Sequence, residues 1–123
     1  MAYMLREHMK ADEAIVNTSV AFTGSLPAGP LRRGTLWNGC SSSANPGVVT
    51  MTGAQLETAV KRELDPKLAK DSPQAFRGLA RGLVHLSGAR MQDGQLLVGN
   101  QPIEAAREYL VAGSDWELEP YGG

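Results

Sequence analysis

Cysteine is nearly absent from this chain. Cys40 stands alone among 123 residues, which excludes an internal disulfide and leaves the redox compartment open. Histidine is scarce too: His8 and His85 lie far apart, so the sequence shows no converging set of metal ligands. Both read as structural or exposed side chains. No run of 18 apolar residues occurs, so no membrane span is expected. The stretch MAYMLREHMK carries too much charge, and too few apolar residues in succession, for a signal peptide. An excess of one charge is missing as well. Twelve basic residues face thirteen acidic ones, for a net charge of −1, and no nucleic-acid partner is expected from that balance. The serines Ser41–Ser43 lack the G-x-S-x-G setting of an activated nucleophile, and no G-x-x-x-x-G-K-[ST] phosphate loop occurs.

What is present is punctuation. Fourteen glycines and seven prolines favour a loop-rich α+β domain over a helical bundle, and the length suits a single domain over 1–123. Met1, Leu5 and Met9, flanked by Met4 and His8, place an apolar stripe on a short N-terminal helix within 1–11. No Ser, Thr, Asp or Asn caps its start. Asp12 and Glu13 read as a charged turn entering a short strand that runs to Asn17. Gly24, Pro27, Gly29 and Pro30 mark Thr18–Pro30 as a loop. Leu31–Cys40 has room for a helical turn or two, and Cys40–Pro46 is small and polar.

Val48–Met51 is a β-branched strand signal. Thr52-Gly53-Ala54-Gln55 then has the form of a capping box. Leu56, Ala59, Val60 and Leu64 follow at i, i+3, i+4 and i+8, Glu57 can pair with Lys61, and Asp65-Pro66 stops the helix. Lys67–Arg77 reads as a surface loop. Leu83–Ser87 and Gln95–Val98 flank Gln92-Asp93-Gly94, a hairpin signal. Gly99-Asn100 supplies a further turn, and Tyr109–Ala112 is apolar enough for a buried strand. A small mixed or antiparallel sheet with a few helices is the expected architecture.

Two features leave chemistry open. Arg32 and Arg33, with Arg77, Arg81 and Arg90, form either an anion-binding patch or a solvated basic face. Trp116, in SDWELEPYGG, either covers the end of the core or stacks on a ligand ring.

Three phrases carry a family resemblance: LPAGPLRRGTLW at Leu26–Trp37, VVTMTGAQLETAV at Val48–Val60, and LVHLSGARMQDGQLLVGNQPI at Leu83–Ile103. They resemble, in order and spacing, the family phrases IPAGP-x-x-x-G-D-L-Y, V-x-L-TG-x-Q-L-x-x-A-L and the closing hairpins of the C-terminal domain of the 5'-nucleotidase / UDP-sugar hydrolase family. Met4-Leu5-Arg6 with Ala11–Asn17 is similar to a linker helix leading into a strand that ends in NSGGIR. Ala106–Ala112 is similar to the strand in K-x-Y-x-V-A-T-N-D-F-L.

The resemblance implies a two-domain parent. An N-terminal metallophosphoesterase domain, absent from these 123 residues, would hold two divalent metals, and this domain would grip the nucleotide base. The helix within 1–11 would be the end of the interdomain linker. No cofactor is expected in this chain itself. An extracytoplasmic location follows from the resemblance alone.

The family holds the base with an asparagine and an arginine of NSGGIR, a phenylalanine of LPF, and a phenylalanine after the last strand. Asn17 matches the asparagine, and the arginine position falls on or near Phe22. The LPF phenylalanine falls on Ser42. Trp116 takes the other aromatic position, with Asp115 where the family has asparagine. The resemblance thus implies a substrate site at Asn17, Phe22, Asp115 and Trp116, with a cation and one aromatic jaw lost. Two readings follow: a substrate-recognition domain of a nucleotide-cleaving hydrolase, altered at its base-holding positions, or a non-enzymatic binding module that keeps the fold. No catalytic residue is expected here.

Overall fold

The computed structural model describes residues 1–16, 24–40, 44–67 and 84–118. Asn17, Phe22, Ser41–Ser43, Arg77 and Arg81 lie outside that set, as does the predicted surface loop beyond Lys67.

Helix α1 (Ala2–Met9) starts without a side-chain cap, as its sequence implies, and ends at Lys10 in a left-handed conformation. Its buried stripe differs by one position from the expected one. Ala2 is buried and Leu5 and Met9 pack beside it, while Met1 precedes the helix and is 41% exposed. A small residue is what fits there, because α1 lies on Ala14, Val16 and Ala112.

Strand β1 (Glu13–Val16) is followed by α2 (Arg33–Gly39), which carries an exposed Trp37. Strand β2 (Pro46–Thr52) is longer than its β-branched centre and leads straight into helix α3 (Gly53–Glu63). Thr52 and Gln55 make the full reciprocal capping box at the junction. Leu56 and Val60 are completely buried, one turn apart, and burying each contributes about 1.5–3 kcal/mol. On the outer face Lys61 Nζ meets Glu57 Oε1 at 2.8 Å.

The next strands depart from expectation. The hairpin around Asp93-Gly94 joins β4 (Ala89–Gln92) to β5 (Gln95–Val98). The segment before it, β3 (His85–Ser87), pairs instead with β1. Gly88 separates the two strands at φ +92°, a bend that sends consecutive strands into different sheets. β6 (Gln101–Pro102) completes the small sheet, and β7 (Glu108–Ser114) returns to the large one.

The large sheet has the order β2-β7-β1-β3, and the small one β4-β5-β6. β7 pairs antiparallel with β2 from Glu108 to Ser114 and parallel with β1. The architecture is therefore α+β with one mixed and one antiparallel sheet. One face of the large sheet packs Tyr109, Val111 and Ile15 against α3 and Leu96 of the small sheet. The other face receives α1.

Candidate functional site

β1 and β7 run side by side in the same direction, with Glu13 level with Val111 and Ala14 with Ala112. The same register brings Val16 level with Ser114, so both strands deliver the chain to one edge of the sheet. Helix α4 (Asp115–Leu118) begins at that edge. It lies back on the sheet: a Cβ added at Gly113 would come within 3.0 Å of the Leu118 side chain, and one at Gly47 within 3.2 Å. Glycine on both strands makes room for Leu118.

Asp115 anchors the turn. Its Oδ1 accepts from the Asn45 backbone N–H at 3.1 Å and its Oδ2 from Asn45 Nδ2 at 3.2 Å. The Asp115 N–H donates to the Asn45 carbonyl at 2.9 Å. The start of β2 and the end of β7 are thereby clamped together.

Of the four residues expected at the substrate site, Asp115 is placed with its partners. Trp116 follows it in the first turn of α4, with its side chain outside the described set. Asn17 and Phe22 are outside it altogether. Asn45 is the residue that sequence reasoning passed over. It sits in the small polar stretch before Pro46, where asparagine reads as ordinary turn chemistry, and its partner lies 70 positions away.

A second unanticipated residue is Glu13. It is the first residue of β1 and not part of a turn. It is fully buried, and neither carboxylate oxygen has a hydrogen-bond partner among the described residues. Strand alternation puts it on the face shared by Ile15 and Val111, in the apolar core. Burial pushes its pKa up to about 8, because desolvation penalises the charged carboxylate.

Among the described residues no group of three or more His, Cys, Asp or Glu converges to hold a metal ion. His8 and His85 are both exposed, on α1 and β3. No helix among the described residues is long and apolar enough to cross a membrane. The start of α3 is closed to an incoming anion. Its Gly53 and Ala54 N–H groups donate to the Arg107 and Ala105 carbonyls at 2.8 and 3.1 Å, and Thr52 Oγ1 takes the Gln55 N–H.

Comparison with known proteins agrees with this architecture. The family profile described as "5'-nucleotidase, C-terminal domain" matches residues 1–123. Among solved structures, the NAD nucleotidase of Haemophilus influenzae superposes with a TM-score of 0.60 at 18% identity, over 94% of this chain and 20% of that one. A sulfate thiohydrolase of Thermus thermophilus gives 0.62 at 16% identity, covering 94% and 23%. A 5'-nucleotidase precursor, also from Thermus thermophilus, gives 0.61 at 16%, covering 93% and 23%. At such identities the likeness is one of fold. The chain spans less than a quarter of the length of each of these three structures. No curated protein matches the sequence.

Proposed function

The chain belongs to the family of 5'-nucleotidase C-terminal domains, and from that premise we propose that it is the substrate-recognition domain of a metal-dependent phosphoester hydrolase. The family match over every residue carries this reading. A separate metallophosphoesterase domain, joined in cis, would bind two divalent metals and activate the attacking water. This domain would hold the remainder of the substrate, a nucleotide or related small molecule, in a reactive orientation. The residues proposed to contact it are Asn17, Asp115 and Trp116, with Phe22 where the family carries arginine. Loss of that cation, and Ser42 in place of one aromatic jaw, make this a recognition site altered from the usual one. The 123 residues supply orientation without bond cleavage.

One observation favours the second reading, a binding module that no longer recognises nucleotides. Both Asp115 carboxylate oxygens are engaged by Asn45, so this position serves the fold. A titration separates the two. Adenosine, uridine and their phosphates should quench tryptophan fluorescence saturably, and Trp116→Ala should abolish the response while the exposed Trp37 remains as the unresponsive background. No quenching by any of them would favour the module. Metal-dependent phosphatase turnover by the purified chain would contradict the assignment of chemistry to another domain.

A further inference from the structure

A cleft of about 280 Å³ lies between α1 and the outer face of the small sheet, lined by Arg6, Gly88, Ala89, Arg90, Leu97 and Asn100 among others. It is at the end of the large sheet opposite Asp115, because Gly88 packs over the Asp12 carbonyl that precedes β1. Its charged lining consists of two arginines. Strand alternation in β4 turns Ala89 and Met91 towards the core and leaves Arg90 on the outer face, paired across the ladder with Leu97. Arg6 reaches the same cleft from α1.

The Arg6 guanidinium is held in place before any ligand arrives. Its carbon stem and Nη1 lie against Gly88, where a Cβ would come within 2.9 Å of Cδ and 3.1 Å of Nη1. Glycine is required there twice over, by this approach and by its φ of +92°. The guanidinium carbon is 5.6 Å from the Tyr3 ring centroid, and Nη2 donates to Glu7 Oε1 at 2.9 Å. Nε, however, is buried without a hydrogen-bond partner among the described residues. A buried donor left unpaired carries a desolvation cost, and the guanidinium keeps donor capacity that Glu7 does not use. The rim is equally fixed: the Gly99 N–H donates to the Gly88 carbonyl at 2.9 Å, and Asn100 is held at φ +63°.

We propose that this cleft is a second ligand site, separate from the Asp115 edge, which binds the phosphate or carboxylate group of a small molecule between Arg6 and Arg90. Guanidinium forks match such oxyanions in shape and charge, Leu97 offers an apolar floor for a short carbon chain, and the volume is at the small end for ligand pockets. The partial pairing of Arg6 with Glu7 leaves a net positive cleft.

The test is a ¹⁵N NMR titration of the whole chain with inorganic phosphate and, separately, with succinate, against a constant chloride background. The expected result is saturable shifts of the Arg6 Nε–H and of the Gly88, Gly99 and Asn100 amides. Saturation by only one of the two ligands assigns the oxyanion class, and the dissociation constant should rise at least tenfold in Arg6→Gln and in Arg90→Gln. Arg90 is exposed on its strand, so that variant reads binding even if Arg6→Gln disturbs folding. Shifts that only grow linearly with salt overturn the proposal. So does unchanged affinity in Arg90→Gln, or a response centred on Arg32 and Arg33.

Discussion

Glu13 concentrates the physical tension of this molecule in one side chain. A glutamate normally ionises near 4.5, and burial in the fold pushes this one up to about 8. Below the first value the carboxyl is protonated in both states, and the fold carries no ionisation cost. Between the two values the unfolded chain has released a proton that the folded chain still holds, so stability falls as pH rises. Each pH unit in that window removes about 1.4 kcal/mol, or about 3 kcal/mol by about pH 7. Glu13→Gln should therefore unfold in urea with nearly the wild-type free energy at acidic pH and with a clear gain at neutral pH. A parallel pH profile for the two proteins would contradict a buried, neutral carboxyl. Nothing in the local sequence announces this residue. Asp12 and Glu13 look alike as charged neighbours, yet Asp12 accepts the Leu110 N–H through Oδ2 at 2.8 Å while Glu13 turns into the core. Only pairing with β7 assigns them to opposite environments.

Among the elements, α3 is the one whose sequence states its own limits. Thr52 and Gln55 close the capping box, Leu56 and Val60 define the buried face, and Asp65-Pro66 follows the last turn. Thr52→Ala should cost about 1 kcal/mol in chemical denaturation, with Gln55 left unable to restore the lost bond; an unchanged midpoint would mean the neighbouring Arg107 and Ala105 carbonyls alone hold that terminus. The hairpin shows the opposite case. Asp93-Gly94 correctly signals a turn, and both residues have positive φ as a tight hairpin turn demands. The strand that enters it is not evident in the sequence, because apolar and polar residues intermingle from Leu83 to Gln92 without a clear break. Gly88 divides them through its contacts with Asp12 and Arg6, which lie far away along the chain.

At the scale of the whole molecule, the mixed sheet joins parts of the chain that share no local pattern. The parallel pairing of β1 with β7 brings the ends of both strands to one edge, and the Asn45–Asp115 clamp locks β2 to that edge. Asp115→Ala removes the two hydrogen bonds accepted from Asn45 and should cost about 1–2 kcal/mol. Hydrogen exchange should show the loss confined to α4 and the start of β2. Unchanged stability with weakened nucleoside binding would instead give Asp115 a ligand-contacting role.

Short-range order was legible from the residues: the uncapped first helix, the capping box, the turn dipeptides and the alternating strands all depend on spacings of a few positions. Family membership was legible as well, since it rests on the order of such phrases. What needed the folded chain depends on partners far apart in sequence. The burial of Glu13, the service of Asp115 to Asn45, and the meeting of Arg6 with Gly88 and Arg90 are products of sheet register. One chain's composition and periodicity carry no record of which strand lies beside which, and it is that adjacency that sets the charge and solvent access of each side chain.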